Sequence, residues 1–153
     1  MSSKIDYLVQ PGGRLTGTLR VPGDKSISHR AVMLGALAEG VTHVTGLLEG
    51  EDILCTLTAF RALGVLAKGP ESGRLTIQGV GLRGLRPPAQ SLDMGNSGTA
   101  MRLMTGILAG QAFDSTLVGD ASLSQRPMQR VAEPLARMGA RIETSAGGRP
   151  PLK

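Results

Sequence analysis

Aromatic side chains are nearly missing from this 153-residue chain, which has two Phe, one Tyr and no Trp. That scarcity argues against a binder of single-stranded nucleic acid, since such proteins stack bases on aromatic platforms. Blocks of like charge are missing as well, so the formal net charge of +5 is not gathered into a polybasic patch. Small acidic ligands account for the positive balance, and no nucleic-acid partner is expected. The single cysteine, Cys55, excludes an internal disulfide and fits a reducing, cytoplasmic setting. Beside Leu54 in an expected helix, Cys55 reads as a small buried apolar residue. His29 and His43 have no partners at metal-ligand spacing, so no metal site is expected. No apolar run approaches a membrane span, and Met-Ser-Ser-Lys-Ile-Asp at the start contains no signal-like apolar segment. No membrane association is expected.

What is present is an ordinary globular composition, 41% apolar and 19% charged, in about one domain's length. Twenty-two glycines imply many tight turns or close backbone approaches. Residues 5–9 and 14–21 read as extended, separated by a Pro11-Gly12-Gly13 turn. A helix is expected over 26–38, with Ile27, Ala31, Leu34 and Ala38 as its apolar stripe and Gly40 beyond its end. A strand over 41–47 follows. Glu51 and Asp52 then open a helix with the stripe Ile53, Leu57, Phe60 and Leu63, ended by Gly64. Residues 65–68 and 74–78 form an expected hairpin around 69–73, and 80–90 reads as a connecting loop.

The pattern then recurs. Asn96-Ser97-Gly98-Thr99 opens a helix carrying Met101, Met104, Ile107 and Leu108, and 113–118 is the following strand. Ser124 is the expected N-cap of the next helix, with Pro127 in its first turn and Met128, Val131, Leu135 and Met138 as its stripe. Residues 140–144 and a strand beginning at 151 complete the series. Arg30 aligns with Arg102 at a shift of 72, and Gly64 with Gly139 at a shift of 75. A period this long implies duplicated supersecondary units rather than a short-repeat solenoid. The fold class is therefore α/β with a repeated unit, and the last strand, begun at 151, is expected to be cut short.

Both units place a polar or cationic loop at a helix start. Lys25, Ser26 and Arg30 stand at the first, where unpaired N–H groups and the macrodipole favour anions. The same residues also read as an ordinary cap with solvated charges. A P-loop is excluded, because Leu19 and Asp24 occupy the positions where its two glycines belong. Gly95-Asn96-Ser97-Gly98-Thr99 lets backbone approach a ligand closely, though it is also a good turn. Arg102 either extends this site or pairs with a carboxylate such as Asp52. Arg126, held extended by Pro127, has the form of an anion clamp or of a solvated arginine.

Three stretches carry a family resemblance. Residues 21–30, Val-Pro-Gly-Asp-Lys-Ser-Ile-Ser-His-Arg, closely resemble the N-terminal signature of the EPSP synthases, the 3-phosphoshikimate 1-carboxyvinyltransferases. Residues 92–103, Leu-Asp-Met-Gly-Asn-Ser-Gly-Thr-Ala-Met-Arg-Leu, and 119–128, Gly-Asp-Ala-Ser-Leu-Ser-Gln-Arg-Pro-Met, resemble the second and third signatures in order. Bacterial, particularly proteobacterial, members are the most similar.

The resemblance implies transfer of the enolpyruvyl group of phosphoenolpyruvate to the 5-hydroxyl of shikimate 3-phosphate. The reaction belongs to aromatic amino acid biosynthesis and uses no metal or organic cofactor. By position, Lys25, Ser26 and Arg30 would hold shikimate 3-phosphate, and Lys25, Gly98 and Arg126 would contact phosphoenolpyruvate. Asn96, Thr99, Arg102 and Asp52 would line the site. The implied fold is built of βαβαββ units, truncated here. Residues 1–22 would be strands packed on an absent second domain, 23–90 a first unit, and 91–153 a second unit incomplete at its last strand. The full-length enzyme would be monomeric. The acid and base groups the family uses lie in parts that are absent, so the isolated chain is predicted to be inactive. Two other readings remain: the related transferase acting on UDP-N-acetylglucosamine, which usually has Lys-Asn where Lys25-Ser26 stand, and a non-catalytic anion-binding fragment.

Overall fold

The structure is a computed structural model that describes residues 6–153. In the first unit the elements are α1 (Lys25–Leu37), β1 (Glu39–Val44), α2 (Glu51–Ala62), β2 (Leu66–Glu71) and β3 (Arg74–Val80). In the second they are β4 (Leu92–Asp93), α3 (Gly98–Leu108), β5 (Leu117–Val118), a 3-10 turn (Leu123–Gln125), α4 (Gln129–Arg137), β6 (Thr144–Ser145) and β7 (Arg149–Leu152).

The duplication is visible in the sheets. In the first unit the order is β1-β3-β2, with both pairings antiparallel. In the second, β5, β7 and β6 repeat that order and sense, and β4 is added beside β5 in parallel. In each unit the last strand is therefore the middle one. By the repeat, β4 corresponds to residues just before α1. The strand expected over 14–21 does not form: these residues are irregular and exposed, with no partner strand among the described residues. A strand without a ladder leaves its backbone groups to water and is not stable alone. Of the run expected over 5–9, residue 5 lies outside the described residues and 6–9 are likewise irregular.

One continuous core joins the units. Ile53, Leu57 and Phe60 of α2 and Met101 and Met104 of α3 are at most 1% exposed, as the expected stripes require. The stripe expected on α1 is a correction. Ile27 and Leu34 are 68% and 66% exposed, while Val32, Met33, Gly35 and Ala36 are buried. The reason is close approach: a Cβ on Gly35 would stand 3.0 Å from the Ile77 side chain, and one on Gly79 would collide with the Ala38 carbonyl. The helix thus lies on β3 through its small residues, which the larger Ile27 and Leu34 could not do.

Other departures are local. The hairpin turns at Ser72 and Gly73, both at positive φ, and Gly69-Pro70 becomes an irregularity inside β2. Two consecutive left-handed residues match the right-handed twist of the flanking strands. α4 begins after Met128, so Ser124 is not its cap and Pro127 precedes it; Met138 is 81% exposed. The Ser124 hydroxyl instead donates to the Gly119 carbonyl at 3.2 Å. The strand expected over 113–118 is confined to Leu117–Val118, and that over 140–144 shrinks to Thr144–Ser145.

Candidate anion-binding site

The starts of α1, α2 and α3 converge, and each contributes a different group. At α1, Asp24 is the N-cap and its carboxylate accepts from the Ile27 N–H at 2.7 Å. Ser97 does the same for α3, accepting from the Ala100 N–H at 3.1 Å. Each cap takes the third amide of its helix and leaves the first two, Lys25 and Ser26 in α1 and Gly98 and Thr99 in α3, at the open end. α2 begins with Glu51 and Asp52 and has no side-chain cap.

Lys25 is exposed on the first turn of α1, and its ammonium is ion-paired with the Asp52 carboxylate of α2. The third helix start in this cluster is thus α2, bearing a carboxylate. Arg30, one turn beyond Ser26, donates from Nη1 to the Ser26 carbonyl at 3.1 Å, which keeps its guanidinium beside the helix entrance. Ser26 and Thr99 are exposed at equivalent places on α1 and α3.

On the α3 side, two arginines meet over Gly98. A Cβ on this buried glycine would lie 3.1 Å from Nη1 of Arg102 and 3.2 Å from Nη1 of Arg126. Arg102 donates to the Gly98 carbonyl at 3.5 Å, and its buried Nε has no hydrogen-bond partner. Arg102 thus bonds to the glycine loop, and Asp52 is paired with Lys25. Arg126 has the extended backbone expected before a proline, with φ −84° and ψ 131°. Its Nη2 donates to Asn96 Oδ1 and, at 3.4 Å, to Ser122.

Asn96 is itself held by Asp120. The Asn96 amide donates to Asp120 Oδ2 at 2.7 Å, and Oδ1 of Asp120 accepts the Leu123 N–H at 2.7 Å. The Leu123 amide and the Asn96 side chain hold the Asp120 carboxyl below the usual aspartate range, despite its exposure. The backbone fixes the pair, because the Asp120 N–H donates to the Gly95 carbonyl at 2.9 Å. Sequence reasoning passed over Asp120. Its signal is an aspartate three residues ahead of Leu123, the spacing of a helix-cap bond.

It also passed over His29, which is fully buried between helices. Nδ1 lies 2.8 Å from Thr56 Oγ1 on α2, and Nε2 lies 3.4 Å from Ser97 Oγ at the start of α3. Burial lowers its pKa. A separate hollow among Thr105, Leu108, Phe113 and Leu152 lies at the opposite end of α3 and adds nothing to this cluster.

The assembled site has Lys25, Arg30, Arg102 and Arg126 around helix starts, with bonds to Arg102 and Arg126 coming from neutral groups. Such a surface is suited to anions. Among the described residues there is no group of His, Cys, Asp and Glu side chains suited to a metal ion, and no helix is long and apolar enough to cross a membrane.

Comparison with known proteins gives the family of the chain. Residues 9–153 match the family model for EPSP synthase (3-phosphoshikimate 1-carboxyvinyltransferase). A 3-phosphoshikimate 1-carboxyvinyltransferase of Hydrogenovibrio crunogenus is 67% identical over 153 residues, all of this chain and 34% of the relative. That of Methylococcus capsulatus is 67% identical over 149 residues, 97% of this chain and 34% of the relative. Among solved structures, EPSP synthase from Acinetobacter baumannii superposes with a TM-score of 0.86 at 60% identity, covering 89% of this chain and 31% of that one. The chain thus spans about a third of the length of the curated relatives it matches. Three ordered signatures, a duplicated α/β unit and a cationic cluster at its helix starts find one common explanation: the chain belongs to the EPSP synthase family.

Proposed function

We propose that this chain supplies the substrate-gripping helix starts for transfer of the enolpyruvyl group of phosphoenolpyruvate to the 5-hydroxyl of shikimate 3-phosphate. The observation that carries the reading is the pair of guanidiniums over Gly98, set beside the Lys25–Asp52 pair and Arg30. Both substrates are multiply anionic, and both need fixed cations close together. Lys25, Ser26 and Arg30 hold shikimate 3-phosphate. Arg126, across the Cβ-free surface of Gly98, holds phosphoenolpyruvate, which Lys25 also reaches. Asn96 aims Arg126, Thr99 and Arg102 line the same wall, and Asp52 orders Lys25. In the reaction the 5-hydroxyl gives up its proton to a base as its oxygen bonds to C2 of phosphoenolpyruvate, while C3 gains a proton from an acid. Loss of that C3 proton and of phosphate then restores the double bond. No organic cofactor enters. The reaction is a cytoplasmic one in this reading, and the whole enzyme acts as a monomer.

The same reading divides the chain into residues 23–90 and 91–153 as two repeat units, with 1–22 packing elsewhere in the whole enzyme. It also makes the isolated chain a binder without turnover, because none of the residues gathered here is placed as the acid and base that move the C3 proton. The experiment is calorimetric titration with shikimate 3-phosphate and then phosphoenolpyruvate, beside an assay for released phosphate. The chain binds shikimate 3-phosphate, Lys25→Ala weakens that binding roughly tenfold or more, and Arg126→Ala selectively weakens phosphoenolpyruvate, each having lost a charged hydrogen bond. Binding unaffected by either substitution overturns the site. Family-like turnover by the isolated chain overturns the division of labour.

A further inference from the structure

His29 is enclosed in the molecule, grips no anion in the proposed site, and turns its two ring nitrogens toward two different helices. Its partners fix where the protons are. The Thr56 hydroxyl donates to the Asp52 backbone carbonyl at 3.1 Å, so it has only lone pairs to offer the imidazole. Nδ1 of His29 must therefore be the donor across the 2.8 Å contact. On a neutral ring Nε2 is then an acceptor, and the Ser97 hydroxyl donates to it across 3.4 Å. The Ser97 oxygen meanwhile accepts the Ala100 N–H as the cap of α3. One directed run of hydrogen bonds thus passes from the first turn of α3, through α1, to the first turn of α2.

We infer that His29 is a positioning residue which, as a neutral imidazole protonated on Nδ1, locks the start of α3 to the starts of α1 and α2. It thereby sets the separation between the Lys25–Asp52 pair and the two guanidiniums over Gly98. The functional consequence rests on the anion site proposed above; the hydrogen-bond assignment does not. The charged groups around the ring act in both directions. Lys25 and Arg30 on its own helix disfavour a second proton and Asp52 on α2 favours one, while α3 presents only the neutral Ser97. Burial outweighs Asp52 and keeps the ring neutral. A second ring proton would leave the Ser97 hydroxyl proton without its acceptor.

The test uses the whole chain labelled with nitrogen-15 and three variants. Asn places an amide where Nδ1 stands and serves Thr56 alone, Gln reaches the Ser97 side, and Leu serves neither. At neutral pH the imidazole nitrogens of His29 report a neutral ring protonated on Nδ1. In His29→Leu the amide resonances of residues 98–102 move, and affinity for shikimate 3-phosphate falls roughly three- to tenfold, the effect of one or two lost hydrogen bonds. His29→Gln recovers the α3 resonances and the affinity better than His29→Asn does. A ring protonated on Nε2, an imidazolium at neutral pH, or a folded His29→Leu with unchanged resonances and affinity overturns the inference. Should His29→Leu not fold, the tautomer in the unsubstituted chain and the Gln–Asn contrast decide. If the unsubstituted chain binds no shikimate 3-phosphate, the proposed function fails, while the tautomer and the α3 resonances still judge His29.

Discussion

At position 98 the absence of a side chain is what lets Arg102 and Arg126 face one point from two directions. An added Cβ would meet the far ends of two flexible side chains at 3.1 and 3.2 Å, and not backbone. The arginines, rather than the fold, would give way. Gly98 begins α3 without a positive φ, so alanine also fits its backbone. Gly98→Ala is therefore expected to leave stability within about 1 kcal/mol of the parent, a span set by the helix propensities of the two residues. The same substitution weakens phosphoenolpyruvate binding by roughly tenfold, the cost of disturbing one charged hydrogen bond. Thermal unfolding and calorimetry on one sample check both halves. Gly95 is a different case, because it combines a φ of +53° with a Cβ position 3.1 Å from the Cys55 sulfur. Behind Gly98, the Asp120–Asn96–Arg126 series holds one of the two guanidiniums in place, so part of the site's geometry is stored in a residue that touches no substrate.

Among the elements, α1 separates hydrophobicity from burial. Ile27 and Leu34 are large and apolar yet face outward, while Val32 and Met33 lie inside with Gly35 and Ala36. Ile27→Ser and Leu34→Ser are each expected to change the unfolding free energy of this chain by no more than about 0.5 kcal/mol, as exposed substitutions do. Met33→Ala is expected to cost about 2–5 kcal/mol, as buried large-to-small changes do. Urea titrations compare the three; equal losses would mean that the outer face of α1 is covered. This helix also shows why reading the sequence succeeds unevenly. The stripes of α2 and most of α3 are legible because their buried residues are large and evenly spaced. The buried face of α1 is set by how closely Gly35 and Gly79 let the helix approach β3, which is a property of two distant segments together. Residues 14–21 have strand composition but no partner strand among the described residues, and composition alone cannot supply one. The site divides in the same way. Lys25, Gly98 and Arg126 are marked by local motif. The Lys25–Asp52 pairing and the His29 run exist only once three helices have met.

For the whole molecule, two groups tie stability to pH on the acid side of neutrality. Burial lowers the pKa of His29, so the folded chain resists a proton that the unfolded chain accepts near the ordinary histidine value of about 6.5. Its stabilising contribution is complete above that value and is lost as pH falls from there toward the lowered pKa of the folded state. Asp120, held low by the Leu123 amide and Asn96, adds a second loss on the acid side, below the ordinary aspartate range and down through its own lowered pKa. The urea midpoint is therefore expected to be level between about pH 7 and 8 and to fall in two stages beneath that window, with His29→Gln removing the first stage. A midpoint that rises on acidification from neutrality would contradict the His29 assignment, and one that is level through the aspartate range and below would contradict that of Asp120.

The ion pair between Lys25 and Asp52 has a consequence for how anything arrives. The ammonium is not waiting empty; it already has a carboxylate, so a phosphate reaching it is exchanged for an internal rival rather than added to a vacancy. Measured affinity is then a difference between two anions' claims on one cation. Asp52 stands at both places, since its carboxylate holds Lys25 and its backbone carbonyl ends the His29 run. A single residue thus joins the surface ion pair to the interior run of hydrogen bonds.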